Sequence, residues 1–212
     1  MKKIKILVFS SGSKDGGASG LQAMIEQIKE RNYNLEICGV VTQHPNGGAM
    51  MYAKEHGIPY IVTPEGIDMR KYESQEVIDE YSRAFHRFSP DFTMLSGWVF
   101  RIPAQFCSKY MLNIHPGLMM EGVDAGKCGI AVHQSLLDLY KETGAITCTA
   151  VNIHWVTPQY DEKLASIAEF KVPIMDSDTA KTLQQRVGRT EHAVQTHVLH
   201  WYANEGHRSF IA

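Results

Sequence analysis

The chain has 212 residues, and its 21 lysine and arginine residues against 23 aspartate and glutamate residues give a formal net charge of −2. Hydrophobic residues make up 44% and charged residues 21%, values typical of a globular protein rather than a disordered chain or a coiled coil. The near-zero charge argues against nucleic acid or an anionic membrane as partner. No apolar run reaches the roughly 18 residues of a membrane helix, so we expect a cytoplasmic monomer or homodimer that binds small molecules.

Short apolar runs alternate with helical stretches through the first half of the chain. In chain order we predict a strand at 4–9, a helix at 19–31, a strand at 35–42, a helix at 49–56, a strand at 58–62, a helix at 68–88, strands at 92–96 and 111–114, a helix at 130–140, β-like runs at 145–156 and 166–173, and a helix at 179–204. Alternating strands and helices indicate βαβ units and a parallel sheet. The two β-like runs have no helix between them, so they must pair antiparallel.

This order of elements predicts an α/β fold in a single domain, residues 1–212. We expect a Rossmann-like open sheet that is parallel in its N-terminal half and mixed or antiparallel in its C-terminal part. Residues 1–100 would form the half that binds a nucleotide or phosphate, and residues 101–212 the half that carries the catalytic residues.

A loop rich in glycine and serine joins the first strand to the first helix. Residues 10–20 read SSGSKDGGASG. Such a loop presents backbone N–H groups and the positive end of a helix dipole, which together favour phosphate. The dinucleotide pattern G-x-G-x-x-G fails because Lys14 stands two residues after Gly12, and a P-loop fails because Ala18 stands where its lysine belongs. A βα turn without a ligand is the alternative.

Asn113 and His115 lie two positions apart at the end of the strand predicted at 111–114. Both side chains should share one face at the carboxyl edge of the sheet, where open α/β sheets bind ligands. An amide and an imidazolium are donors that suit a developing oxyanion. Asp161 follows the run at 145–156 and could pair with His115 and favour its protonated form. A capped strand end with a structural histidine is the alternative.

Five stretches carry a resemblance to a known family. They are GGASGLQA at 16–23, LSGW at 95–98, LNIHP at 112–116, HWV at 154–156 with Asp161 downstream, and EHA at 191–193. The chain resembles the glycinamide ribonucleotide transformylases, folate-dependent formyltransferases of purine synthesis, over nearly its whole length. The resemblance implies transfer of a formyl group from 10-formyltetrahydrofolate to the amine of glycinamide ribonucleotide.

The resemblance also implies roles for individual residues. Asn113 and His115 would stabilise the tetrahedral intermediate, with His115 as proton donor, and Asp161 would hold His115. The residues implied for the acceptor are Ala18, Ser19 and Gly20 at the phosphate and Glu191 at the ribose. Those implied for the folate, which the C-terminal half would bind, are Arg70, Val99, Phe100, Arg101, Ile102 and Asn113.

The sequence departs from the family pattern around the implied folate site. The segment after His115 is lengthened at 119–128, and Glu162, Lys163 and Leu164 replace the Gly-Pro that the family has after the catalytic Asp. Two alternatives therefore stay open: a formyltransferase with another amine acceptor, such as an amino-sugar nucleotide, and a non-catalytic ligand-binding relative. The histidines of the last predicted helix lack a metal-binding spacing, so we expect no metal.

Overall fold

A computed structural model describes residues 2–14, 16–159 and 161–209. Within these ranges seven strands form one sheet in the order β3-β2-β1-β4-β5-β6-β7. The strands are β1 (Ile4–Phe9), β2 (Leu35–Thr42), β3 (Tyr60–Val62), β4 (Phe92–Leu95), β5 (Met111–His115), β6 (Cys148–Trp155) and β7 (Ser166–Pro173). Pairs among β1 to β5 are parallel, whereas β6 pairs antiparallel with β5 and β7. The predicted fold class is confirmed.

Helices cover both faces of the sheet. They are α1 (Ser19–Glu30), α2 (Gly48–Glu55), α3 (Gln75–Phe88), α4 (Ile130–Thr143) and α5 (Ala180–Trp201), and a π-helical turn (Tyr202–Gly206) follows α5. Successive side chains of β1 point to opposite faces. Ile6 and Val8 pack in a buried cluster with α1, α2, α4 and α5, whereas Leu7 and Phe9 pack in a second cluster with α3. No helix in the described ranges has both the length and the apolar composition to cross a membrane.

The strand order reverses at β1, which lies between β2 and β4. Open α/β sheets bind ligands in the crevice outside the carboxyl ends of the strands at such a reversal. Ser10 directly follows β1 and Ser96 directly follows β4, and both are buried. The glycine-rich loop after β1 and the carboxyl end of β5 therefore lie along the same edge of the sheet.

One predicted boundary is wrong by more than three residues. The helix predicted at 68–88 begins at Gln75, because the preceding segment forms turns. The Asp68 carboxylate accepts a hydrogen bond of 3.2 Å from the backbone N–H of Arg70, and Ser74 has an extended backbone with φ −74° and ψ 148°. A short acidic side chain that accepts a hydrogen bond from a neighbouring backbone N–H stabilises a turn in competition with the helix, and the amphipathic pattern does not reveal this.

Candidate active site

A buried polar cluster lies where β5 and β6 pair. Asn113 and His154 are opposed in the antiparallel register, and Nδ2 of Asn113 lies 3.2 Å from Nε2 of His154. The loop after β6 brings Asp161 to the same place, with Oδ1 at 3.2 Å from His154 Nε2 and 3.5 Å from Asn113 Nδ2. All three side chains are buried. The pairing of the strands therefore places an amide, an imidazole and a carboxylate in mutual contact.

His115 contacts two carboxylates, one through each ring nitrogen. Nδ1 lies 3.4 Å from Oδ2 of Asp161, so the structure brings together the two residues that the sequence analysis paired. Nε2 lies 3.0 Å from Oδ2 of Asp124 and forms a hydrogen bond with it. His115 is 3% exposed and Asp124 is 0% exposed. The shorter of the two contacts involves a residue that the sequence analysis did not single out.

Both carboxylates are also held by backbone groups. The N–H groups of Met119 and Met120 donate to Asp124 at 3.0 and 2.9 Å, and the N–H of Gly126 donates to Asp161 at 2.8 Å. Burial raises the pKa of each carboxyl, but the histidine contacts and these N–H donors outweigh burial and bring the pKa of both below the usual value. Both carboxylates are therefore anionic at neutral pH, and the imidazole of His115 lies between them.

Two further titratable groups lie near His115. His133 on α4 is 2% exposed, and its Nδ1 has no hydrogen-bond partner among the described residues. Burial, with the nearby His115 charge, lowers the pKa of His133 to about 4, so this ring is neutral at pH 7. Burial raises the pKa of Glu191 on α5 to about 7, and the His115 charge partly opposes this. Glu191 therefore changes its charge near neutral pH.

A cavity of about 310 Å³ borders the cluster. Asn113, His115 and Asp161 form one wall, and residues 97–101 form another. A second cavity, of about 500 Å³, adjoins the first, because Arg101, Gly126 and Asp161 line both. The altered segment 162–164 lies along this second cavity. His115 and Asp161 therefore border two adjoining cavities. The segments 119–128 and 162–164, where the sequence departs from the family pattern, contribute residues to the lining.

Four of the six residues implied for the folate pocket line the 310 Å³ cavity: Val99, Phe100, Arg101 and Asn113. Two others lie apart from it. Ile102 is 3% exposed and packs in the buried cluster on the α3 side of the sheet. Arg70 lies in the turns before α3, where its side chain is 81% exposed and its Nε lies 2.7 Å from Oδ1 of Asp68. The structure therefore gathers part of the implied folate set, and the folate roles stay predictions.

A third cavity, of about 260 Å³, lies at the N-terminus of α1. Ala18, Ser19 and Gly20 of the glycine-rich loop line it together with His192 of α5. Ala18 has a left-handed backbone (φ 61°) directly before the helix, and the first turn of α1 contains no acidic residue. The Ser19 hydroxyl lies 3.0 Å from Nε2 of His192. A helix N-terminus with neutral donors around it favours an anion.

Helix α5 connects the 260 Å³ cavity at the α1 N-terminus with the 310 Å³ cavity at His115. Glu191 lines both of them. One turn further along α5, Gln195 accepts a hydrogen bond of 3.1 Å from the Ser96 hydroxyl and donates one of 2.6 Å to the carbonyl of Gly20. The four implied acceptor residues therefore lie around one cavity, and Glu191 stands at the boundary with the next.

The sequence did not predict three residues at or near the His115 cluster: Asp124, His133 and His154. Asp124 stands in the lengthened segment 119–128, and no spacing rule connects it to His115, because the contact depends on a loop with left-handed backbone at Met119, Gly122 and Gly126. His154 could have been found by alternation along β6, but only with the register to β5. In the part of the chain that the structure describes, no three His, Cys, Asp or Glu side chains are grouped to hold a metal ion.

Comparison with known proteins identifies relatives over about nine-tenths of the chain. A family model described as Formyl transferase matches residues 4–199. A chloroplastic phosphoribosylglycinamide formyltransferase of Vigna unguiculata is 29% identical over 203 residues, covering 94% of this chain and 61% of that protein, so the chain spans about three-fifths of the relative's length. The phosphoribosylglycinamide formyltransferase of Escherichia coli K12 is 26% identical, covering 89% of this chain and 84% of the relative. The solved phosphoribosylglycinamide formyltransferase of Brucella melitensis matches with a TM-score of 0.75 at 27% identity, covering 95% of this chain and 96% of that one.

Proposed function

Because the chain belongs to the formyl transferase family, we propose that it transfers the formyl group of 10-formyltetrahydrofolate to the amine of glycinamide ribonucleotide, a step of purine biosynthesis. The observation that carries this proposal is the position of Glu191, which lines both the cavity at the α1 N-terminus and the cavity at His115. A ribonucleotide held by its phosphate in the cavity at the α1 N-terminus would present its amine towards the cavity at His115. The names of the relatives support this acceptor.

The acceptor half of the site depends on the loop before α1. The phosphate would lie against the backbone N–H groups of Ala18, Ser19 and Gly20, with the Ser19 hydroxyl as a further donor. The first turn of α1 has no acidic residue that would repel it. Glu191 would accept hydrogen bonds from the ribose hydroxyls, which an anionic carboxylate does most strongly.

The donor half would occupy the 310 and 500 Å³ cavities. Trp98 and Phe100 form an aromatic wall of the 310 Å³ cavity, with ring centroids 5.3 Å apart. A pterin ring can lie against this wall. Arg101 lines both cavities and would offer a cation to the anionic tail of the folate. An aromatic wall and a cation fit the two ends of a reduced folate.

The proposed reaction transfers one formyl group to the amine and moves one proton from the amine to the folate nitrogen. The acceptor amine attacks the formyl carbon, negative charge develops on the formyl oxygen, and the bond to the folate nitrogen then breaks. The amine loses one proton and the folate nitrogen gains one. Asn113 and His115 would donate hydrogen bonds to the charged oxygen, and Asp161 would hold His115. His115 would supply the proton to the leaving nitrogen, and the proton that the amine loses would restore His115.

An acceptor comparison tests this function. The purified chain would be given 10-formyltetrahydrofolate with glycinamide ribonucleotide or with an amino-sugar nucleotide, and kcat/KM would be measured for each acceptor. We expect turnover with glycinamide ribonucleotide and a kcat/KM for the amino-sugar nucleotide that is lower by about two orders of magnitude, since the phosphate and ribose contacts would be lost. The reverse preference would establish the second acceptor class. Saturable binding of both substrates without turnover would indicate a non-catalytic relative.

A further inference from the structure

The two nitrogens of His115 have different surroundings. Nδ1 faces Asp161, which lines the cavities of about 310 and 500 Å³. Nε2 faces Asp124, which is 0% exposed and lines none of the cavities described above. One edge of the ring therefore borders the space where substrates would bind, and the other edge is closed off by a carboxylate inside the protein.

The contact between Asp124 and Nε2 of His115 depends on glycine at position 117. A Cβ on Gly117 would overlap the Asp124 carboxylate and would lie 2.8 Å from Nε2 of His115. The backbone of Gly117 is itself fixed, because the Asn152 side chain donates a hydrogen bond of 2.7 Å to its carbonyl. Only glycine at this position leaves room for the carboxylate and the imidazole to meet.

The carboxylates of Asp161 and Asp124 also differ in the number of their side-chain partners. Asp161 contacts His154 and Asn113 as well as His115. Among the described residues, the Asp124 carboxylate has one side-chain partner, His115, and its other hydrogen bonds are with the N–H groups of Met119 and Met120.

The other ionisable groups near the ring provide little fixed negative charge. His133 is neutral, His154 is oriented towards Asp161, and Glu191 changes its charge near pH 7. Asp124 is therefore the anion whose charge acts most fully on His115.

We propose that Asp124 is the positioning residue that orients His115 and places an opposite charge at its Nε2, so that the Nδ1–H edge beside Asp161 is the edge offered to the substrate. This assigns to Asp124 the role that the family resemblance assigned to Asp161. In the reaction the inference rests on the function proposed above, but the state of the His115 ring can be measured without any turnover.

The first test follows the protonation of the His115 ring by NMR in unliganded, isotope-labelled protein, with the His115→Ala spectrum as the assignment reference. An opposite charge within about 4–6 Å shifts a titration by roughly 1–3 pH units. In Asp124→Asn we expect the His115 titration to move to lower pH by at least about one unit. In Asp161→Asn we expect a smaller movement. An unchanged titration in Asp124→Asn, or an equal or larger movement in Asp161→Asn, would overturn the proposal.

A second variant separates the contact from the charge. Gly117→Ala keeps both aspartates but pushes Asp124 away from Nε2, so it should reproduce the Asp124→Asn titration. Asp178→Asn is the matched control, because Asp178 is 4% exposed, pairs with Arg186 at 2.6 Å and lies outside the site. It should reduce stability and leave the His115 titration unchanged. A wild-type titration in folded Gly117→Ala would contradict the proposal, and Asp124→Asn decides alone if Gly117→Ala does not fold.

The third measurement is the pH profile of kcat. Asp124→Asn should shift the limb on which activity falls with rising pH to lower pH and leave the acceptor KM near its wild-type value. A lower melting temperature with an unshifted profile and titration would show a merely structural role for Asp124 and overturn the proposal. If the wild-type chain transfers no formyl group, the proposed function fails, and the ring titration still decides the assignment of Asp124.

Discussion

Nε2 of His115 and Oδ2 of Asp124 lie 3.0 Å apart, and the two side chains are buried, at 3% and 0% exposed. Removing two charges from water is costly, so such a pair stabilises the fold only while both partners keep their charge and hydrogen bonds. The pKa of Asp124 is lowered from 3.8 in the folded chain, because the His115 contact and the backbone donors outweigh burial. This contact therefore makes the stability of the fold depend on pH in the acid range.

The first prediction concerns acid stability. A carboxyl whose pKa is lowered on folding stabilises the chain above its unfolded pKa and loses that contribution as the pH falls through the folded value. The free energy of unfolding should therefore decline as the pH falls below 3.8, and less steeply in Asp124→Asn than in the wild type. Urea unfolding at a series of pH values between about 1 and 5 measures this. Parallel curves for the two proteins would show that Asp124 keeps an ordinary pKa in the folded state.

The second prediction concerns Asn113. Loss of one donor to a developing oxyanion typically lowers kcat by ~10²–10³. We expect Asn113→Ala to fall in this range while the melting temperature stays close to that of the wild type. Thr149→Val is a matched control, since Thr149 is a fully buried polar residue of β6 whose hydroxyl has no hydrogen-bond partner among the described residues. Near-wild-type kcat in Asn113→Ala would remove Asn113 from the chemistry.

The third prediction places the acceptor phosphate. Ser19→Asp adds a carboxylate at the first position of α1, where an acid is favourable for the helix but would repel a bound phosphate. The acceptor KM should rise by about tenfold to a hundredfold, as the loss of about 1.5–3 kcal/mol of charged hydrogen bonding implies, with the folate KM nearly unchanged.

Ser19→Ala, which keeps the backbone N–H groups, should have the smaller effect. Gly20 is a poorer position for this test, because a Cβ there would lie 2.5 Å from the Ser96 hydroxyl oxygen. Equal changes in the KM of both substrates in Ser19→Asp would indicate that the loop does not bind the acceptor.

The fourth prediction uses the raised pKa of Glu191, about 7. The carboxylate accepts ribose hydrogen bonds more strongly when ionised, so the acceptor KM should decrease as the pH rises through 7. Glu191→Gln should raise the acceptor KM and make it independent of pH, with the folate KM unaffected.

Stability should respond in the opposite direction. A pKa raised on folding stabilises the chain at low pH, and this contribution is lost as the pH rises through about 7. Glu191→Gln should therefore gain stability relative to the wild type above that pH. A pH-independent acceptor KM in the wild type would contradict the role of Glu191.

The fifth prediction tests whether the carboxylates act through His115. Residues that share one function give losses that do not multiply. Asp161→Asn and Asp124→Asn should each lower kcat in the wild-type background, and neither should lower it much further in His115→Ala. Multiplying losses for Asp161→Asn would mean that Asp161 acts on the substrate independently of the histidine.

Much of the fold follows from local pattern. The nearly unbroken apolar run at 4–9 and the alternation of strands with helices predicted the parallel half. The absence of a helix between the runs at 145–156 and 166–173 predicted the antiparallel part. The start of α3 was missed because the segment before it forms turns, one of them with the Asp68 carboxylate accepting a hydrogen bond from the backbone N–H of Arg70. Such competition depends on geometry that a hydrophobic period does not contain.

The site was predictable to the extent that it lies on regular elements. Asn113 and His115 share a face because they lie two apart on a strand, and that spacing is visible in the sequence. Asp124 was not predictable, because it reaches His115 through a loop whose course depends on left-handed backbone positions and on the missing Cβ of Gly117. Long-range loop contacts of this kind leave no periodic signal.

The most direct test of the account follows the formyl group itself. The wild-type chain would be mixed with 10-formyltetrahydrofolate labelled with ¹³C in the formyl carbon and with glycinamide ribonucleotide, and the label would be followed by NMR. The account predicts that the label moves to the amine of the ribonucleotide, in equal amount to the tetrahydrofolate released, and that it stays on the folate when the ribonucleotide is omitted. Label that remains on the folate in the complete mixture, or that appears as free formate, would contradict it.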